Sequence, residues 1–423
     1  MKTTHVHLAD IQGCSQLVVQ ATLGVTDLVQ AMHQTILRQP LPLGKGSTQA
    51  PKGLHGVIYR VLAGTSGFVY DAVRGITKRV GSGIDTALTH LQPELIELES
   101  SRRRDALISV LNGVLGDHMK AHHNPLTIPM SLRHGDQVLE LSRDSLAEAI
   151  AQPSGKVLLL LHGHCMNELQ WCRHGHDHGE ELAAANGFTP VYLRYNSGLH
   201  ISENGRALAD VLEQLVHEWP VPVQELCIVG YSMGGLVARS AFHYGAKARH
   251  GWLGRVNKLF FLGTPHHGSM LEQAGNLVDK ALEISPYSHA LSRLGKIRSA
   301  GTTDLRHGNL VQEDWSGRNR FAHFADQRAI SQLPQGVKCY AIAAMISSKP
   351  SELRGKLVGD GLVPVKSALG QHRNSARALN IPPERQHVFY GMNHLGLLDS
   401  QAVYAQLQQW MTPPSVPRLA LAP

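Results

Sequence analysis

The sequence predicts an α/β protein: a mostly parallel sheet covered by helices on both faces, preceded by an α-helical N-terminal region over residues 1–150. Three observations predict it. The chain has 423 residues, 43% hydrophobic and 17% charged, enough apolar material for a full-sized core and too little charge for a disordered chain. Up to about His122 the apolar residues recur at helical steps. After Gly155 short apolar runs alternate with helical stretches, the pattern of parallel strands buried on both faces.

The first helix is expected over Ser15 to Arg38. A long apolar face then runs through Leu54, Ile58, Val61, Phe68, Ala72, Ile76, Val80, Ile84, Ala87 and Leu91, with Gly81 and Gly83 as a candidate break. A third helix is expected over Arg102 to His122. Leu132 to Leu139 reads as a hairpin turning at Gly135-Asp136, and Asp144 or Ser145 as the cap of a brief helix ending near Ile150. Gln152 to Gly155 is the expected boundary with a catalytic domain over 151–413, followed by a tail over 414–423. Strands are expected at Val157–Leu161, Pro190–Tyr195, Leu226–Gly230, Lys258–Leu262, Lys338–Ile346 and Gln386–Tyr390. Between them, residues 270–336 form an insertion read as a cap or lid, with an amphipathic stretch from Leu271 to Ile284 and a polar one from Ser299 to Arg320.

Composition excludes several classes. No run of about 18 apolar residues exists, which argues against a membrane-spanning helix. The first ten residues carry His5, His7 and Asp10 where a signal peptide needs an apolar core, and the same lack weakens a lipoprotein reading of Ile11 to Cys14. Five scattered cysteines fit reduced thiols and a cytoplasmic setting. The net charge of +7 comes without a basic run of nucleic-acid type, since Arg102-Arg103-Arg104 has Glu97, Glu99 and Asp105 beside it.

The chemistry is carried by loops after strands, where ligands bind on open parallel sheets. Gly230-Tyr231-Ser232-Met233-Gly234 lies between a strand and the helix-prone Leu236 to Tyr244, the setting of an exposed serine nucleophile on a sharp turn. The alternative is an ordinary strand-to-helix turn. The first strand of the parallel set runs into His162-Gly163-His164-Cys165. The amides of His164 and Met233 are the expected oxyanion donors, with Cys165 the substitute for the first and the His162 imidazole a brace for the loop. A serine nucleophile needs a base and an orienting carboxylate; where the serine sits on a strand-to-helix elbow of such a parallel sheet, the chain order is serine, then the acid, then histidine. Asp360, between Gly359 and Gly361 beyond a late strand, is the expected acid, ahead of Asp399. His394, after the final strand, is the expected base, ahead of His387 within that strand. The cluster of His162, His164, Cys165, Cys172, His174, His176, Asp177 and His178 lacks paired zinc spacing, so no metal or cofactor is expected.

The set Leu161-His162-Gly163, Gly230 to Gly234, Gly263-Thr264-Pro265-His266-His267-Gly268-Ser269, Gly359 to Pro364 and Asn393-His394-Leu395 resembles an α/β-hydrolase of the lipase and GPI-inositol-deacylase-like group, over about residues 155–412. The resemblance implies a serine esterase or lipase with triad Ser232, Asp360 and His394, acting on an ester or lipid with an apolar acyl chain. It also implies an active-site rim that includes His162, Gly163, Tyr231, His266 and His267. A thioesterase or acyltransferase using the same triad is the alternative. The resemblance does not extend to the N-terminal helices. They are read either as a packing domain that covers the hydrolase or pairs two copies, or as a peripheral membrane contact. For the latter, residues 51–91 carry Lys52, Arg60, Arg74, Lys78 and Arg79 against Asp71 and Asp85.

Overall fold

The computed structural model describes residues 12–17, 19–20, 102–269, 299–318, 327–348 and 359–412. The expected helical face over 54–91, the amphipathic stretch at 271–284 and most of the first helix lie outside these residues. The chain divides into two compact units, Met1–Ser101 with His123–Leu126, and Arg102–His122 with Thr127–Pro423. In the first, residues 12–17 and 19–20 are helical, and Asn124 Nδ2 donates to the carbonyl of Gly13 at 3.0 Å. No described helix is long and apolar enough to cross a membrane.

The second unit is built on one eight-stranded sheet. Its strands are β1 (Ser131–His134), β2 (Gln137–Leu139), β3 (Lys156–Leu161), β6 (Thr189–Arg194), β7 (Glu225–Tyr231), β8 (Val256–Leu262), β9 (Lys338–Met345) and β10 (Gln386–Tyr390). The intervening β4 (Cys172–Arg173) and β5 (His176–Asp177) form a separate two-stranded ribbon. The order is β10-β9-β8-β7-β3-β6-β1-β2, parallel throughout except for the antiparallel β1 and its hairpin partner. Chain order reverses at β3, which pairs with β6 on one side and β7 on the other. The C-terminal strand ends around such a reversal form the natural crevice of an open α/β sheet.

Side-chain alternation gives the sheet a core on each face. Val157, Leu159 and Leu161 of β3 pack with Leu208, Leu212, Leu236 and Val237. These come from α4 (Ile201–Glu218) and α5 (Met233–Ala248). Leu158 and Leu160 face the other way, against Leu182, Val403 and Leu407. Those come from α3 (His178–Asn186) and α8 (Gln401–Met411). Strands buried on both sides need apolar residues at every position, hence the unbroken Val157 to Leu161 run.

Three expectations are corrected. The hairpin belongs to the sheet rather than to a separate N-terminal region, because β1 pairs with β6 and covers what would otherwise be an open parallel edge. The brief helix after it, α2 (Arg143–Ala149), is capped by Ser142, whose hydroxyl accepts from the Ser145 amide. The third N-terminal helix, α1 (Arg102–Ala121), also belongs to this unit. Gly116 makes its close approach possible: a Cβ there would collide with the side-chain amide of Asn196, which instead donates to the Gly116 carbonyl at 3.1 Å.

The polar stretch after 299 is largely buried in its first part. Helix α6 (Ala300–His307) buries Thr302, Thr303 and Asp304. The Ser299 hydroxyl donates to Gly113 of α1, and the Ala300 amide to Asp117. Asp304 accepts from His200 and from the Ile201 amide, both at 2.9 Å, so a remote carboxylate caps the start of α4.

Candidate active site

Strand β7 delivers Ser232 to a turn of unusual backbone. Its φ of 52° and ψ of −119° lie outside the regions a side chain prefers, a strain of about 1–3 kcal/mol that persists only where surroundings over-determine it. The surroundings here are backbone. The Ser232 amide donates to the Leu262 carbonyl at 2.8 Å. A Cβ at Gly234 would collide with the Leu161 carbonyl oxygen, and one at Gly230 would lie 2.6 Å from Gly235. Glycine is therefore required on both sides of the serine by close approach of α5 to β3 and β7. Met233 begins α5, so its amide is one of the helix-start donors without an intrahelical acceptor.

Asp360 and His394 meet although 34 residues apart. His394 Nδ1 and Asp360 Oδ2 are 2.6 Å apart, and both side chains are buried. The pair is also tied through backbone, the His394 amide donating to the Asp360 carbonyl at 3.1 Å. The second carboxylate oxygen of Asp360 accepts from the amides of Leu362 and Val363 at 2.9 and 2.8 Å. One oxygen is thus anchored by the turn Gly361-Leu362-Val363 and the other is aimed at the imidazole, which leaves Nε2 for a reaction partner.

The serine turn and the imidazole share neighbours. Leu262 accepts the Ser232 amide, and the next residue, Gly263, faces His394: a Cβ there would lie 2.8 Å from Cε1 of the ring. The Tyr231 ring lies 4.9 Å from the His394 ring, and its hydroxyl donates to the His394 carbonyl at 3.2 Å. Gly163 completes this corner; a Cβ on it would lie 3.2 Å from that of Ser232.

The loop after β3 is held by side chains from elsewhere. His162 stacks on Tyr195 at 4.2 Å, donates through Nδ1 to Gly163 and accepts the Tyr195 amide through Nε2. Burial keeps it neutral, with its pKa lowered to about 3. His164 contacts the Ser197 carbonyl through Nδ1 and the Thr302 hydroxyl through Nε2, and burial lowers it to about 4. The Cys165 amide donates to Ser197 Oγ at 3.0 Å, so it is already engaged. Tyr195, Ser197 and Thr302 were not readable as site residues, because nothing local marks a polar residue that braces a distant loop.

Other candidates are occupied elsewhere. Asp399 pairs with His174 at 2.8 Å and Arg173 at 3.5 Å, and lies just before α8 rather than on it. His387 lies within β10, its ring against Phe389. His266 is deeply buried beside Arg239, and His267 is half-buried with its ring against His372, so neither has been brought to the Asp360–His394 pair. His176 and His178 bond to one another at 2.6 Å, and His178 to the Leu397 carbonyl. Among the described residues no group of three or more His, Cys, Asp or Glu is arranged to hold a metal ion.

No curated protein matches the chain in sequence. Residues 152–338 match the family model described as a PGAP1-like alpha/beta domain. Among solved structures the chain is similar to the Bacillus licheniformis lipase BlEst2 in mature form, at 18% identity and TM-score 0.39, over 62% of this chain and 96% of that one. It is similar to Aspergillus fumigatus lipase B at 13% identity and TM-score 0.37, over 66% of this chain and 58% of that one. It also resembles a serine-to-alanine mutant of LAE6, an alpha/beta hydrolase enzyme from the metagenome of Lake Arreo, at 13% identity and TM-score 0.35, over 78% and 94%. Likeness at these levels carries no inference about activity. The span matched by that family model holds the sheet's reversal at β3 and the serine turn that follows β7, while Asp360 and His394 lie beyond it.

Proposed function

We propose that the chain is a serine esterase or lipase that hydrolyses carboxylic esters with apolar acyl groups. The observation that carries the reading is the 2.6 Å contact of Asp360 with His394 at the same corner as the strained Ser232 turn. His394 takes the Ser232 proton through Nε2 as the hydroxyl attacks the ester carbonyl. Asp360 holds the tautomer and stabilises the imidazolium. The amides of His164 and Met233 receive the oxyanion; the engagement of the Cys165 amide by Ser197 favours His164 as the first donor. His394 then protonates the leaving alkoxide, and water activated by the same ring hydrolyses the acyl-enzyme. Ile346 and Tyr390, at the C-terminal ends of β9 and β10, are 51% and 47% exposed and offer apolar surface for an acyl chain.

Ser232→Ala is expected to abolish turnover of p-nitrophenyl butyrate and labelling by a fluorophosphonate, with circular dichroism unchanged. Retention of both activities in the folded variant overturns the reading.

A further inference from the structure

The loop that starts at Gly263, against His394, leads to a second pocket that the hydrolytic reading does not use. It is lined by Arg239, His266, His267, Arg328, Asp314 and Arg377 among others. Arg239 projects from α5 and is 5% exposed; His266 is 1% exposed. Arg239 Nη2 donates to the Ser331 carbonyl at 2.6 Å, and Nη1 donates to His266 Nδ1 at 3.3 Å. The latter contact fixes the tautomer. With Nδ1 accepting, neutral His266 carries its proton on Nε2.

The remaining donors have nothing to bond. Arg239 Nε and His266 Nε2 are buried and, among the described residues, without a hydrogen-bond partner. The one carboxylate among the described lining residues does not answer them. Asp314 Oδ2 accepts from the amides of Leu310 and Val311, and Oδ1 from that of Ala329. Burial, with Arg328 nearby, lowers Arg239 to about 9. Native interiors rarely leave such groups unpaired, and clustered arginines with an imidazole donor suit an anion with several oxygens.

We propose that this pocket is a binding site for a phosphate-class anion, received by Arg239 and His266. The anion is either carried on an ester substrate or free in solution, and its seat lies on the loop whose first residue packs against His394.

Inorganic phosphate is the probe. Titrated into the full chain, and equally into Ser232→Ala, it should bind saturably with Kd on the order of 1 mM or tighter and raise Tm above a chloride control of matched ionic strength. Arg239→Gln should weaken binding about tenfold or more. Should that variant lose its circular dichroism signal, Arg328→Gln serves in its place with the same expectation. No saturable binding, or equal binding by a folded Arg239→Gln, overturns the site whether or not Ser232 is a nucleophile. A second arm rests on the hydrolase reading and identifies the source. If the anion belongs to the substrate, Arg239→Gln lowers kcat/KM for a lysophosphatidyl ester about tenfold more than for p-nitrophenyl butyrate, and phosphate competes with the former. If it is free, both esters respond alike and phosphate does not compete.

Discussion

The turn after β7 and the loop after β3 lie side by side at the C-terminal edge of the sheet, yet they are held by different physics. The Ser232 turn is held by steric necessity. Backbone meets backbone, Gly230 and Gly234 leave no room for a methyl group, and no side chain caps the start of α5. The 162–165 loop is held by polar contacts from remote segments: Tyr195 and Ser197 after β6, and Thr302 on α6. A steric device should fail abruptly when one methyl is added. A hydrogen-bonded one should weaken by increments as each partner is removed.

The largest expected effect lies outside both regions, in the carboxylate that orients His394. Asp360→Asn keeps an oxygen to accept the Leu362 and Val363 amides but offers the wrong partner to His394. The variant should fold with wild-type Tm, while kcat for p-nitrophenyl butyrate falls by about 10⁴. A loss below tenfold would separate the carboxylate from the chemistry.

Next comes acid, which should loosen the polar loop before the steric turn. The pKa of His162 is lowered to about 3 by burial, and those of His164 and His178 to about 4. In the unfolded chain these rings titrate near 6.5, so between about pH 6.5 and 4 the unfolded state binds more protons. The stability they contribute is present above pH 6.5 and drains away as pH falls through that window, by about 1.4 kcal/mol per pH unit for each ring. Urea denaturation at pH 7.5, 6 and 5 reads this directly; a midpoint that rises on acidification contradicts it.

Gly234→Ala tests the steric side. The added methyl meets the Leu161 carbonyl, a backbone atom with nowhere to move, so stability should fall by about 3 kcal/mol and fluorophosphonate labelling should be lost with it. Ser197→Ala is the matching incremental change on the polar side. It frees the Cys165 amide at a cost of about 1 kcal/mol and should lower kcat severalfold without abolishing it. If the two substitutions have equal effects, the contrast between the regions is wrong.

Legibility in the sequence follows the same division. Strands β3, β6, β7, β8 and β9 were each predicted to within about two residues, because a doubly buried strand must be apolar along its length. The turn around Ser232 was legible because glycine spacing is a local signature of a strained elbow. The pairing of Asp360 with His394 was anticipated from chain order and loop context. The placement of α1 and the hairpin in the unit that holds the sheet was not, since the boundary near Gly155 reflects a change of period while packing follows Gly116 and the pairing of β1 with β6. His266 and His267 were expected at the rim, but the loop turns inward, carrying His266 against Arg239.

By itself the sequence determined what adjacent residues can do: which stretches are strands, where the backbone must turn sharply, and which side chains can react. Only the tertiary structure decided which polar atoms find partners. Ser197 reaches Cys165, Thr302 reaches His164 and Asp304 caps α4, while Arg239 and His266 keep donors to spare. The physical reason is that apolar burial is satisfied by any apolar neighbour and so shows in composition and period, whereas a hydrogen bond requires one atom at one distance and angle, which the folded chain alone supplies.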